Sequence, residues 1–518
     1  MQSDTTHPLL FQRILRALAR LGNAYRVPLL SALVFGFLAH TFAFTNKLVN
    51  HDEVQCLFSK GATVVSGRWG LGALDSLFPN VSMPWIYGVI TLVLLAISVC
   101  LLVSVLSIRS GWMQVLAAGL VLTFPSLTGT FGYLFTASSY GVAFLLAVLS
   151  VWLLQRSSRW YWLGAVVCMV LSLSIYQAYV SLTAALLVLV LIRQLLEEED
   201  PAAVFRRGIG YVLFLALSLG LYFGLTQLIL RFKHVQMVSY ASDSVTFDLR
   251  SLPGNIVLAY QNFVRNFREP ALGLIPTVFS RRVHLLVLVC TAVLLVLQCA
   301  RMRKSPLSLL LLVALTAVLP LAVNCMYLFT VPDSIHTLVL YSFVCVYLLV
   351  LILADRTLNR SAPQKWAEAV RRAALNGTVF LSAAIIVVNI YAANTSYLGL
   401  HLRYENAYAF YTALIADIRQ SPEFTEGTKL AVIGSWEDPD FYEEHLDVTN
   451  YLTGVTGFKP DSYSAQRFLQ YYLGFSIPFV SEEEAAEIAA SAEFAEMPCY
   501  PYYGSTRKIG DAMVVKLS

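Results

Sequence analysis

The chain is cut into apolar stretches of bilayer length. A hydrocarbon core about 30 Å thick needs about 20 consecutive apolar residues per crossing helix. Eleven stretches near that length lie at about 27–45, 84–106, 112–127, 138–154, 160–176, 178–195, 208–230, 283–300, 306–329, 335–354 and 374–393. Residues 160–195 are interrupted only at Tyr176-Gln177. As one helix they would run about 54 Å at about 1.5 Å per residue, so two spans joined by a tight turn fit better. Charged residues make up only 13% and hydrophobic residues 57%, whereas soluble proteins hold about 25% charged residues. That excludes a soluble fold and a disordered chain. The expectation is an α-helical polytopic membrane protein with about eleven transmembrane helices.

Charge orients the spans. The first apolar stretch follows Arg13, Arg16, Arg20 and Arg26 and reads as an uncleaved signal anchor with a cytoplasmic N-terminus over 1–26. From that start, alternate connections collect Arg109, Arg156, Arg159, Arg193, Arg206, Arg207, Arg301, Arg303, Lys304, Arg356, Arg360, Lys365, Arg371 and Arg372 on the cytoplasmic side. The short turns on the other side, near 128–137, 177 and 330–334, hold no Lys or Arg. A transmembrane domain over 27–393 is expected, with outer loops at 46–83 and 231–282 and an outer C-terminal domain at 394–518. In the last piece charges return. Lys429–Gly434 and Met513–Leu517 read as strands, and Ser481 before three glutamates reads as a helix N-cap, giving a small α/β domain.

The net charge of +4 shows no basic patch suited to nucleic acid. Most of the eight cysteines lie inside apolar runs, and a bridge between the two exceptions, Cys56 and Cys499, is not expected. Phosphate-loop, Rossmann, HExxH and GxSxG patterns are absent.

The densest polar cluster is Asn50-His51-Asp52-Glu53, followed in the same loop by Ser66-Gly67-Arg68-Trp69-Gly70. Neighbours on a helix point about 100° apart, so one of Asp52 and Glu53 aims at a given atom while the other orients it or holds a cation. A carboxylate at a partly dry interface suits a general base. Arg68 reads equally as an interfacial anchor beside Trp69 or as a clamp on an anionic headgroup. Arg265, Arg268, Arg281 and Arg282 lie in the second outer loop, the last two where the chain re-enters the bilayer. Tyr133 and the segment Tyr176-Gln177-Ala178-Tyr179 mark two aromatic outer edges, either an interfacial belt or the lining of a sugar cleft. His234 and His336 lie on the outer side and read as surface or satisfied histidines rather than as catalysts.

These patches resemble the GtrII-type glucosyltransferases, bacterial membrane proteins that modify O-antigen. The likeness rests on Asp52-Glu53 with Ser66-Gly67-Arg68-Trp69, on Phe124-Pro125-Ser126 through Ser138-Ser139-Tyr140, and on Leu173-Ser174-Ile175-Tyr176-Gln177-Ala178-Tyr179. In the tail it rests on Met497-Pro498, Tyr500-Pro501, Gly504-Ser505, Ile509 and Val514-Val515-Lys516-Leu517. The resemblance implies a GT-C-like architecture in the bacterial inner membrane. It also implies transfer of a sugar, glucose by the family name, from a polyprenyl-phosphate carrier to a hydroxyl of O-antigen or a related polysaccharide on the periplasmic face. An essential acid in the first outer loop, and a companion flippase and donor synthase, follow from the same likeness.

On that reading Asp52 is the preferred base and Glu53 the second choice. Arg68, Arg281 and Arg282 face the donor phosphate, with Arg265 and Arg268 behind them. His51, Trp69, Tyr133, Tyr176, Gln177 and Tyr179 line the sugar and acceptor cleft. The one cofactor with residues to offer it is a divalent cation, Mg or Mn, on Asp52 and Glu53, although two carboxylates alone make a poor site. Membrane lipid is an expected partner. The alternatives are a flippase for lipid-linked sugars and a polysaccharide polymerase or ligase. A transporter would place ionisable groups near the bilayer midplane, whereas these spans are nearly free of charge, with His40, towards an outer end, the main exception.

Overall fold

The structure, a computed structural model, describes residues 25–59, 61, 63–77, 81–237, 250–268, 275, 278–303, 305–330, 335–360, 364–425, 427–435, 452 and 464–518. The expected basic segment up to residue 24, Lys304 and parts of both outer loops lie outside them. Among the described residues the first elements are α1 (Arg26–Thr45), two short helices α2 (His51–Gln55) and α3 (Trp69–Asp75), then α4 (Pro84–Val105), α5 (Gly111–Leu122) and α6 (Pro125–Phe131). It continues with α7 (Leu134–Leu154), α8 (Arg159–Ile175), α9 (Tyr179–Leu196), α10 (Pro201–Phe232), α11 (Leu252–Arg268), α12 (Val278–Met302) and α13 (Pro306–Val323). Short 3-10 turns at Cys325–Leu328, Thr337–Val339 and Tyr341–Phe343 lead into α14 (Val344–Leu358) and α15 (Lys365–Gln420). The C-terminal part holds β1 (Lys429–Ile433), α16 (Ala465–Leu473), α17 (Glu482–Ala489), α18 (Ala492–Ala495), β2 (Thr506–Ile509) and β3 (Ala512–Lys516).

Among the described residues nine helices are long and apolar enough to cross a bilayer, and the pair α5 and α6, bent by 48°, makes a tenth. The break has a local cause. Proline opens α6, and Phe124 before it is extended at φ −62° and ψ 137°, as the ring of a following proline requires. The remaining expected stretch is α8, an apolar helix of 17 residues. It is separated from α9 where Tyr176 turns extended, so the long apolar run is two helices.

Helices α9 and α14 form the centre, wrapped on nearly all sides, whereas α10, α12 and α13 are mostly uncovered. The uncovered faces are apolar, with Val212, Leu213, Leu286, Val289, Leu310 and Val313 turned outward. Such a surface suits lipid, and helices suit it because their backbone groups are satisfied internally.

At one end of the bundle the α4–α5 connection and the ends of α9 and α14 are tied together by charge. Arg356 reaches Glu197 at 2.6 Å and Asp355 at 3.0 Å, and Arg193 reaches Glu197 at 3.0 Å and Ser107 Oγ at 2.8 Å. The Asp355 carboxylate accepts the backbone N–H groups of Arg109 and Ser110.

In the C-terminal part β1 pairs parallel with β3 and β2 pairs antiparallel with β3, in the order β1-β3-β2. Ser481 and Glu484 form a reciprocal capping box at the start of α17, as the sequence pattern implies. The expected boundary at 393/394 falls inside α15, a helix of 56 residues that runs on to Gln420. Its continuation keeps a buried stripe including Tyr397, Leu400, Ala407, Tyr411, Leu414 and Ile418, so the helix outlasts its hydrophobic segment. All eight cysteines are free, including Cys56 and Cys499.

Candidate active site

The end of the bundle opposite the charged network carries the loop between α1 and α4. Asn50 caps α2 by accepting the Glu53 N–H on its side-chain oxygen at 2.8 Å. Within this single turn the two adjacent acids diverge. Glu53 points inward and is 0% exposed. One of its oxygens accepts from Ser82 Oγ, and the other from the Phe135 backbone N–H at 3.0 Å. Phe135 lies in the first turn of α7, where N–H groups have no partner within the helix. Lys47 Nζ stands 3.5 Å from the same carboxylate. Burial pulls the Lys47 ammonium below its ordinary range, while Glu53 opposes that shift. Asp52, one residue earlier, turns into a cleft with 43% of its side chain exposed, and His51 Nε2 lies 3.7 Å from its carboxylate.

The cleft has a volume of about 940 Å³. Its polar wall includes Asp52, Arg68, Tyr133, Tyr140, Tyr176 and Gln177, with Tyr222, Thr226, Gln227 and His336 across from the loop. Leu71, Leu173, Val180, Leu219 and Leu338 supply apolar lining. Arg68 donates to Tyr140 OH at 3.1 Å and lies 5.7 Å from the centre of the Tyr176 ring. The two tyrosine rings stack at 4.3 Å. Burial, with Arg68 adding to it, holds the His336 imidazole below its usual range. Burial and the nearby Asp52 push the Cys56 thiol up to about 12, so it is no nucleophile.

The position of Arg68 is fixed by a clasp. Gly67 before it adopts a left-handed φ of 75°. Tyr222 OH donates to Gly67 O at 3.1 Å, and Gln177 Nε2 donates to Ser66 O at 3.2 Å and to Tyr222 OH at 2.9 Å. A Cβ at Gly67 would sit 2.9 Å from Tyr222 OH, so both the turn and the close approach need glycine here. Trp69 Nε1 donates to Thr226 Oγ1 at 3.2 Å. At Gly70 a Cβ would lie 2.0 Å from Ser174 Oγ, which seats α3 directly on α8.

Of the residues singled out in the sequence, the cleft brings together Asp52, Arg68, Tyr133, Tyr176 and Gln177. Trp69 braces the loop from behind. Tyr179 is core, edge-on to Phe144 at 5.5 Å and to Tyr176 at 5.1 Å. His51 flanks Asp52. Arg265, Arg268, Arg281 and Arg282 are not among the cleft residues. Asp75, which the sequence reading passed over, is buried at the end of α3 and accepts from Ser139 Oγ at 3.3 Å. Tyr222 and Thr226 were also missed. The signal was present: Ser218, Tyr222 and Thr226 repeat every fourth residue in a largely apolar stretch of α10, and all three are buried.

The Glu53 oxygens are engaged by Ser82 and the Phe135 N–H, while Asp52 faces the cleft, so the two carboxylates stand in different surroundings. Among the described residues no group of three or more His, Cys, Asp or Glu side chains could hold a metal ion.

A bundle of helices long and apolar enough to cross a bilayer, with an acid, an arginine and stacked tyrosines in an end cleft, is joined to its enzyme class, the membrane glycosyltransferases, by its family. The chain belongs to the glucosyl transferase GtrII family, whose model matches residues 41–347, a stretch that contains the whole cleft. The tail motifs lie beyond the matched residues. No curated protein and no solved structure matches the chain.

Proposed function

We propose that this membrane glucosyltransferase moves glucose from a polyprenyl-phosphate carrier to a hydroxyl of O-antigen or a related surface polysaccharide. The reaction takes place on the periplasmic face of the bacterial inner membrane. The observation that carries this reading is the placement of Asp52 and Arg68 in one cleft, at the end of the bundle opposite the arginine-rich end. By the positive-inside rule the arginine-rich end is cytosolic. A lipid-tailed donor reaches such a cleft laterally from the bilayer, which accounts for apolar walls beneath a polar rim.

In the reaction the acceptor hydroxyl attacks the anomeric carbon. Asp52 takes its proton, the bond from that carbon to the phosphate oxygen breaks, and polyprenyl phosphate leaves with the electron pair. One displacement inverts the anomeric centre. Arg68, held by Tyr140 and Tyr176, meets the charge that develops on the phosphate. Tyr133, Tyr176, Gln177, Tyr222, Gln227 and His336 offer ring faces and hydrogen bonds to the sugars. Glu53 positions the loop and takes no proton. A donor built on the cytosolic side needs a companion synthase and a flippase.

Transfer from polyprenyl-phosphate glucose by purified Asp52→Asn tests the base. The rate is expected to fall by about 10²–10⁴-fold with donor binding retained. Near wild-type turnover by this variant would remove Asp52 from the mechanism.

A further inference from the structure

Four arginines lie at the adjoining ends of two helices on the outer side of the bundle, none of them among the cleft residues, with Arg265 near Tyr327. Arg265 and Arg268 occupy the last turn of α11, and Arg281 and Arg282 lie near the start of α12. Arg281 Nη1 donates to the Arg268 backbone oxygen at 2.9 Å, which holds the two helix ends together.

The depth of α11 follows from its contacts. Tyr260 OH donates to Ala317 O and Asn324 Nδ2 donates to Ala259 O, each at 2.8 Å. Ala317 precedes the end of α13 at Val323 by about 9 Å of helix, at about 1.5 Å per residue. The helix therefore lies level with the outermost turns of a membrane span. One side is turned to the protein: Ala259, Asn266 and Phe267 are buried, and Phe263 stacks on Phe343 at 5.5 Å. The other side leaves Val257 and Val264 55% and 61% exposed. Apolar side chains and arginines together on a helix at this depth match the boundary where acyl chains meet headgroups. The positive end of α12, a helix of 25 residues, points to the same corner.

We propose that this corner binds the headgroup phosphate of an anionic phospholipid, as a site separate from the cleft that takes the sugar donor. Bound lipid ties α11 to α12 where they flank α13, whose end leads into the cleft residues Met326 and Phe329.

The test is lipid binding to the full chain in detergent, read by native mass spectrometry. The probes are dioleoylphosphatidylglycerol, dioleoylphosphatidylcholine and a polyprenyl phosphate. Wild type and Asp52→Asn are expected to retain phosphatidylglycerol at least about tenfold more tightly than phosphatidylcholine, since each surface cation is worth about fivefold. The triple variant Arg265→Ala, Arg268→Ala and Arg282→Ala is expected to lose that preference, and the matching triple lysine variant to keep it. Arg281 is left intact because it holds the helix ends together. Should the triple alanine variant fail to fold, Arg282→Ala alone, at an exposed position, is expected to weaken phosphatidylglycerol about threefold to fivefold. Equal retention of the two phospholipids by wild type overturns the site, as does an undiminished preference in the alanine variants. Polyprenyl phosphate displacing phosphatidylglycerol from wild type but not from the triple alanine variant assigns the corner to the donor and also overturns it. None of these outcomes depends on sugar transfer, so they stand apart from the base assigned to Asp52.

Discussion

Two neighbouring carboxylates carry opposite duties because one turn of helix sends them opposite ways. Glu53 has no solvent and three partners, and Asp52 has the cleft. Glu53→Gln keeps an oxygen for the Phe135 N–H but removes the charge facing Lys47. Its expected cost is about 1–3 kcal/mol of stability. A lowered thermal midpoint with an acceptor KM altered more than kcat would identify it as a positioning residue, whereas a loss of kcat alone at unchanged stability would return it to the chemistry. His336 gives a pH signature. Its folded pKa lies below the ordinary 6.5, so its contribution to stability is full above that value. It is lost as the pH falls, because the unfolded chain binds the proton first. His336→Gln is therefore expected to flatten the decline in thermal midpoint between pH 7 and about pH 5 relative to wild type. The sequence made the acid loop legible, since Asp52, Glu53 and Arg68 are conspicuous beside apolar spans. It could not say which acid faces inward, because that depends on Ser82 and on Phe135, which are distant in the chain. His336 is exposed at the cleft, and nothing local in the sequence announces Arg68 as its neighbour.

Among the elements, span positions were readable because lipid demands a length and a composition, and each of the eleven stretches is helical. The end of the last span was not the end of its helix. Hydropathy falls after residue 393, but the buried positions of α15 continue every three or four residues to Ile418. In that helix Tyr397 OH lies 2.8 Å from His40 Nδ1, and His40 Nε2 lies 2.7 Å from Leu122 O. His40, the main exception to the apolar spans, is thus a satisfied core histidine joining α15, α1 and α5. At the other end Arg356 gathers Glu197, Asp355 and the Ser107 carbonyl. Arg356→Gln leaves Glu197 and Asp355 with less compensation, at an expected cost of about 2–4 kcal/mol. Thermal unfolding in detergent would show it, and transfer at low temperature is expected to persist because the cleft lies at the far end.

For the whole molecule the unexpected contact is between its two most distant parts. Helix α16 of the C-terminal part packs against α2, the turn that carries Asp52, with Phe58 edge-on to Tyr471 at 5.0 Å. Burial, helped by the nearby Glu53, raises the Tyr472 hydroxyl well above its usual range. No local pattern in residues 465–473 discloses a partner some four hundred positions earlier, so this docking was illegible. Ending the chain after Gln420 keeps α15 whole and removes the cover from α2. The bundle is expected to insert and fold while transfer falls at least about tenfold, one such factor being only about 1.4 kcal/mol of lost positioning. Full transfer by the truncated chain would free the C-terminal part of any role at the site. The clasp on Gly67 has a different reach. Tyr222 sits on α10, a helix mostly uncovered by the rest of the described protein, and its hydroxyl grips the backbone next to Arg68. A substitution that displaces α10 is therefore expected to shift the backbone that carries Arg68.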